Sequence, residues 1–318
     1  MSHGVPLLKS SKPPRFRRRG VILATLLASL VLSSAWFGWL ALRLQPTERF
    51  VVPADVDGVR CTIQIEAFLP AAHARSAGSH PAVVLLHGVE GAARYRSAHY
   101  RTARWLADQG YAVFFVHYFD GGDYDDLWFL REDGDLDVEE IDAVCRRDAA
   151  RWTGVVAESL NAIAARSDVD RTRIALDGNS LGGFVALSAA ATAIHDERVA
   201  DPRAVVVNWG GLFESTRPSH GFPPTLFIHG EKDTVVPLDS ARHAAESVLA
   251  VESEATLFIV PGASHIARSQ ESDARTLQFL EKHLGAGPRV EPQTVDEETR
   301  LRAAIESSLW SMNSSLFR

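Results

Sequence analysis

The chain has 318 residues, 46% hydrophobic and 23% charged, enough to bury the core of one large domain and too apolar for disorder. Its net charge of −7 is uneven: the first 20 residues hold six bases and no acid, leaving 27 bases against 40 acids, a net −13, in the rest. So acidic a body excludes nucleic acid as the partner, because phosphate binding needs a basic face.

The first element in chain order is a basic tip, residues 1–20, with Lys9, Lys12, Arg15, Arg17, Arg18 and Arg19. Val21 to Leu42 follows without a single charge. As a helix that run is roughly 33 Å long, the thickness of a bilayer's hydrocarbon core. Trp36 and Trp39 lie toward its far end, where indole favours the interface. The pattern predicts a transmembrane signal anchor over 21–42, with the N-terminus cytoplasmic and the body outside, in the periplasm if the source is bacterial. The alternative is a signal peptide cut near Ser33-Ser34-Ala35, which would release a secreted protein.

The body, 50–284, alternates two kinds of segment. Arg60 to Phe68 alternates Cys61, Ile63, Ile65 and Ala67 with polar residues and reads as a half-exposed strand. Short apolar runs then recur at Ala82–Leu86, Tyr111–Val116, Arg173–Leu176, Ala204–Val207, Thr225–Ile228 and Thr256–Val260. Such runs suit strands covered on both faces. Helix-length segments separate them, at about Ser97–Gln109, Val138–Arg166, Leu181–Ile194, Asp239–Leu249 and Ala267–Leu284. This alternation predicts a doubly wound α/β fold, a mostly parallel sheet with helices on both faces. The acidic segment Asp120–Glu140, with Trp128 and Phe129, follows a strand and is either a partial lid or a solvated loop. A tail, 285–318, carries a short helix with Thr294 and Glu297 spaced as a capping box. Cys61 and Cys145 have no metal-like spacing and read as two free buried thiols. An extracytoplasmic setting would permit them to pair.

Gly178-Asn179-Ser180-Leu181-Gly182 fits Gly-x-Ser-x-Gly between a strand and a helix, the setting of a nucleophile elbow. A serine hydroxyl needs a base, and the base an orienting acid. After Thr225–Ile228 comes a loop with Glu231 and Asp233; after Thr256–Val260 comes Pro261-Gly262-Ala263-Ser264-His265. Both loops lie at the strands' carboxyl ends, the same edge as Ser180. Asp233 is the expected acid, with Glu231 in reserve, and His265 the base. His117, His229 and His283, among twelve histidines, read as structural or surface residues. No His-Glu-x-x-His pattern points to a metal. The oxyanion donors are expected to be the N–H groups of Leu181, at a helix start, and of Val89, in His87-Gly88-Val89-Glu90-Gly91. Glu90 reads as structural or solvent-facing rather than substrate-binding.

Together these residues resemble the dienelactone hydrolase-like branch of the α/β-hydrolases, over roughly Val59 to Leu284. The likeness rests on His87–Gly91, the Arg104–Val116 passage, Gly178–Gly183, Asp233 with Val236-Pro237, and Pro261–His265. It implies a Ser or Cys nucleophile, an Asp, a His and no cofactor. The founding enzymes carry Cys where this chain has Ser180, and hold a substrate carboxylate through arginines for which Arg94 and Arg96 are the candidates here. The resulting expectation is a membrane-anchored serine hydrolase acting on a small-molecule ester or related acyl bond. A serine peptidase, an acyltransferase, and a non-catalytic tethered binding protein are the alternatives. The sequence gives no sign of oligomeric state.

Overall fold

The computed structural model describes residues 44–71, 79–119, 129–131, 135–266 and 268–286. The expected anchor at 21–42 and the capping box of the tail lie outside the described residues. Among those described, no helix is long and apolar enough to cross a membrane. The chain divides after Gln45, and the second unit carries everything that follows.

Eight strands form one sheet in the order β1-β2-β4-β3-β5-β6-β7-β8. They are β1 (Glu48–Val56), β2 (Val59–Phe68), β3 (His80–Leu86), β4 (Ala112–His117), β5 (Val169–Asn179), β6 (Ala204–Asn208), β7 (Thr225–Gly230) and β8 (Ala255–Val260). From β4 to β8 every pairing is parallel, while β2 is antiparallel to both β1 and β4. The strand order reverses around β3, since β4 lies on one side of it and β5 on the other. The crevice at the carboxyl ends of β3 and β5 is therefore the switch point where such sheets bind ligands.

Helices cover both faces. They are α1 (Gly91–Arg94), α2 (Arg96–Asp108), α3 (Val138–Ala164), α4 (Leu181–His195), α5 (Leu238–Leu249) and α6 (Gln270–Leu284). All seven residues of β3 are buried, and its side chains alternate between two cores. Ala82, Val84 and Leu86 join Trp152 of α3, Val185 of α4 and Val248 of α5. Val83 and Leu85 join Leu106 of α2 and Leu280 of α6. The long helix α3 starts where the Asp137 carboxylate accepts the Glu140 N–H at 3.2 Å. Helix α6 starts with a reciprocal cap between Ser269 and Ser272, later than the expected Ala267.

Strand β1 is the element the sequence reading leaves unassigned. Pro53 sits in its middle, which argues against an inner strand, but β1 is an edge strand where a missing N–H is tolerated. It closes a hairpin with β2 through Asp57 (φ 53°) and Gly58 (φ 79°). Both central residues are left-handed, as a type I′ turn requires. In the Asp120–Glu140 segment, residues 120–128 and 132–134 lie outside the description; Phe129 is buried, and Leu130 bridges Leu136. Neither cysteine forms a disulfide, and both are half-buried.

The chain enters and leaves the sheet away from the switch point. Thr47 N–H donates to Ala67 O at 2.7 Å. Tyr111, just before β4, donates its hydroxyl to Gly285 O at 3.4 Å. Both contacts lie toward the amino ends of the parallel strands.

Candidate active site

Ser180 stands between β5 and α4 with φ 51° and ψ −119°. A side chain in such a conformation costs about 1–3 kcal/mol and persists only where neighbours dictate it. Here the Ser180 N–H donates to Asn208 O at 2.8 Å, and Ser180 O accepts the Gly183 N–H at 2.8 Å. The flanking glycines are demanded by space. A Cβ on Gly178 would lie 2.2 Å from Gly182 O, and one on Gly182 would lie 2.4 Å from His87 O.

The loops after β7 and β8 are packed together, and their contact decides which carboxylate reaches His265. A Cβ on Gly230 would lie 2.1 Å from Ser264 O, so only glycine lets the loops meet. Lys232 N–H donates to Ala263 O at 2.8 Å. The Glu231 carboxylate accepts the Gly262 N–H at 2.7 Å on the surface, so it braces the His265 loop from outside. Asp233 is buried, and its Oδ2 accepts His265 Nδ1–H at 2.8 Å. His265 Nε2 in turn lies 2.9 Å from Ser180 Oγ. The structure thus brings Ser180, Asp233 and His265 into one chain of hydrogen bonds and leaves Glu231 out.

Asp233 stays charged despite its surroundings. Burial opposes its ionisation, but His229 and His265, with the Val236 N–H, hold its carboxyl well below the usual carboxylate range. Its Oδ1 accepts the N–H groups of Val235 and Val236 at 2.9 and 3.0 Å. His229 is the structural residue expected: it donates Nε2–H to Val236 O at 2.8 Å, and the same nitrogen lies 3.2 Å from Asp233 Oδ2.

The loop after β3 is fixed from both sides. His87 is fully buried, and burial pushes its pKa down to about 3. The neutral ring donates Nδ1–H to Gly88 O at 2.8 Å and stacks on Tyr118 at 4.1 Å. The Tyr118 hydroxyl donates to His87 O at 2.9 Å. Glu90 turns inward, accepts the Gly88 N–H at 3.2 Å and lies 3.3 Å from His99 Nε2. It is structural, and the space it fills is the space a Gly88 Cβ would need, 2.3 Å from Glu90 Oε2. Val89 sits half-buried between these two fixed residues. Leu181 is the first residue of α4, so its N–H has no acceptor within the helix. The close approach of Gly182 to His87 O brings the Val89 loop and the start of α4 together.

Three further residues belong to this neighbourhood. Asn208 ends β6 and holds the Ser180 N–H. Trp209, with φ 43°, places its ring 6.5 Å from that of His265. Asp177, three residues before Ser180, accepts from Asn208 Nδ2 at 2.7 Å. Burial pushes the Asp177 carboxyl up to about 6, against the pull of Arg268 and Asn208. The polar end of an apolar run, Asn208-Trp209, at the site's edge of the sheet is the one signal that could have flagged them. Arg94 and Arg96 are exposed, and the Arg94 guanidinium lies 5.7 Å from the Phe129 ring centre. Among the described residues no group of three or more His, Cys, Asp or Glu could hold a metal ion. A groove of about 530 Å³ runs along α3 and α4 past Thr153, Ser188 and His195. None of Ser180, Asp233 or His265 lines it, so the chemistry rather than the size of a cavity locates the site.

The sheet order, the strained serine and the loops around it define an α/β-hydrolase. The chain belongs to the dienelactone hydrolase family, whose profile matches residues 69–280, and is a serine-type ester hydrolase of that family. No curated protein matches it in sequence. Among solved structures it is similar to esterase 2 of Thermogutta terrifontis phosphoramylated by tabun, at 17% identity and TM-score 0.57, covering 77% of this chain and 98% of that one. It is also similar to a dienelactone hydrolase-like promiscuous phosphotriesterase from metagenomic libraries, at 18% identity and TM-score 0.55, covering 75% of this chain and 99% of that one. The butyrate-bound form of the Thermogutta esterase matches at 18% identity and TM-score 0.53, covering 77% and 97%. At these identities the likeness is one of fold.

Gly182→Ala drives a methyl into the main-chain oxygens of His87 and Leu86, neither of which can swing aside. We expect a loss of about 1–3 kcal/mol, seen as a Tm lower by several degrees, together with loss of ester hydrolysis; a variant with wild-type Tm and turnover contradicts this. The raised pKa of Asp177 has a sign that can be checked. Its folded value exceeds the unfolded one of about 3.9, so its contribution to stability is full below pH 4 and is lost as pH rises through about 6. Asp177→Asn removes that dependence. The stability of the variant relative to wild type should rise by about 2–3 kcal/mol between pH 4 and pH 7, measured by denaturant titration at each pH. A flat difference contradicts the burial of this carboxyl.

Proposed function

We propose that the protein hydrolyses carboxylic esters of small molecules through Ser180, His265 and Asp233. The observation that carries this reading is the continuous path from Asp233 Oδ2 to His265 at 2.8 Å and from His265 to Ser180 Oγ at 2.9 Å. The direction of the bonds is chemically fixed. A carboxylate only accepts, so His265 Nδ1 carries the proton and Nε2 is free to act as base.

Ser180 Oγ attacks the ester carbonyl carbon while His265 Nε2 takes its proton. Asp233 holds the imidazole in register and stabilises the imidazolium. The new oxyanion is met by the N–H groups of Val89 and Leu181, the second at the positive end of α4. The tetrahedral intermediate collapses, the alcohol leaves with the proton from His265, and an acyl-Ser180 ester remains. Water, deprotonated by His265, then attacks that ester and releases the acid. Val235 and Ile266, 42% and 47% exposed, follow the acid and the base in the chain. Exposed apolar side chains so near the acid and the base in sequence are the candidates to meet the substrate's hydrocarbon part.

The butyrate-bound neighbour makes p-nitrophenyl butyrate a reasonable first substrate. The phosphoramylated neighbour makes a fluorophosphonate a reasonable label. Wild type should turn over the ester and label at Ser180, and Ser180→Ala should lose about 10⁴-fold or more in kcat. Equal turnover by Ser180→Ala rejects the mechanism.

We also propose that residues 21–42 remain attached and tether the domain to the outer face of a membrane. The support is the uncharged run behind a purely basic tip. Intact mass of the protein extracted from its own membranes should include residues 1–42; a mature start near Trp36 rejects the tether.

A further inference from the structure

Asp177 is an expensive residue to keep where it is. It is 3% exposed on an inner strand, and burial works against its charge. A carboxyl held against its own solvation marks a place where the charge or the hydrogen bond has a task. Its hydrogen bond names the task. Asp177 Oδ1 accepts from Asn208 Nδ2 at 2.7 Å, and the main-chain oxygen of that same Asn208 accepts the Ser180 N–H at 2.8 Å.

The register explains why these residues meet. Asn179 lies opposite Asn208, and Asp177 opposite Val206, across the parallel β5–β6 pair. Asp177 and Asn208 therefore point to the same face of the sheet as diagonal neighbours. The Asn208 amide donates to the carboxylate and lies 3.5 Å from Gly178 O. On its other side Asp177 looks across a cavity of about 10 Å³, which Arg268, Asp273, Thr102 and Trp209 also line. That volume is close to one water molecule. Arg268 is three residues beyond His265; its Nε lies 2.8 Å from Asp273, and its guanidinium stands over Trp105 at 5.6 Å.

We propose that Asp177 is a positioning residue: it clamps Asn208 so that the Asn208 carbonyl keeps Ser180 in its left-handed conformation and its hydroxyl within reach of His265. This rests on the reading of Ser180 as the nucleophile. The neighbouring strain supports it. Trp209 also has positive φ, is tied by its N–H to Ile228 O at 2.7 Å, and presents its ring to His265. Asn208 is thus the joint between two strained residues, one the nucleophile and the other packed beside the base. Without the carboxylate the Asn208 amide keeps only its long contact to Gly178 O at 3.5 Å, so the Ser180 N–H···O contact slackens and Ser180 relaxes toward an ordinary φ. An ångström of drift at Oγ is enough to weaken proton transfer. Substrate binding surfaces are untouched by that drift, so the effect falls on kcat.

The test counts active serines with a fluorophosphonate and reports kcat per labelled Ser180. Asp177→Ala should lose about 10- to 100-fold in kcat with KM within about twofold. Asp177→Asn, whose amide oxygen still accepts from Asn208, should recover most of that loss. Asn208→Ala should reproduce it, and the double variant should be no worse than the weaker single one, because both cut the same link. Should Asp177→Ala fail to fold, Asn208→Ala carries the test alone. A wild type that labels at Ser180, beside an Asn208→Ala variant with full kcat per labelled serine, overturns this proposal only. A wild type that hydrolyses esters without labelling at Ser180 overturns the nucleophile assignment and this proposal with it.

Discussion

The site depends on one main-chain conformation that Ser180 would not adopt by itself. A φ of 51° is held because the Ser180 N–H has a single well-placed acceptor in Asn208 O and because glycines at 178 and 182 leave room for backbone to pass backbone. Everything else follows from that turn. It lifts the side chain out of the end of β5 and starts α4 at once, so the first N–H of that helix lies next to the hydroxyl. It also presses α4 against the end of β3. The loop that carries Val89 is thereby set against the start of α4 by the same contact that forbids a side chain at Gly182.

Charge in the site is governed by who supplies hydrogen bonds to buried carboxylates. Asp233 and Asp177 are both buried, 8% and 3% exposed, yet they are pushed in opposite directions. Asp233 receives two main-chain N–H groups and faces two histidines, and that outweighs its desolvation. Asp177 receives a single amide N–H from Asn208 and faces Arg268 only across a gap, so desolvation prevails. The contrast suits their different positions. The role proposed for Asp233, stabilising an imidazolium, needs an ionised carboxylate at neutral pH, whereas the anchoring role proposed for Asp177 does not.

Much of this was legible in the sequence because strand–loop–helix punctuation places residues at the carboxyl edge of a parallel sheet. Ser180, Asp233 and His265 each follow an apolar run directly, and the fold then has no choice but to gather them. That logic favours Asp233 but leaves Glu231 in reserve, since both occupy one loop. The answer lies in a contact across sequence, the Gly262 N–H that engages Glu231. Strand β1 was hidden by Pro53, although the alternation of Phe50, Val52, Ala54 and Val56 and the Asp57-Gly58 turn were in plain view. Asp177 and Asn208 were not legible as partners because only the β5–β6 register makes them neighbours.

The two ends of the sheet carry separate burdens. Thr47 enters and Gly285 leaves near the amino ends of the strands, while every residue assigned to chemistry lies at the carboxyl ends. Three of the loops at the carboxyl ends are braced: Gly230 against Ser264, Gly182 against His87, Glu90 against Gly88. At Gly230 and Gly182 backbone meets backbone, and at Gly88 the Glu90 carboxylate fills the space of a side chain, which is why glycine recurs at these three junctions. A site assembled this way is held by steric exclusion as much as by hydrogen bonds. The frame that keeps the hydroxyl, the imidazole and the carboxylate in line is thus set by main-chain contacts and buried hydrogen bonds rather than by the exposed side chains of Val235 and Ile266.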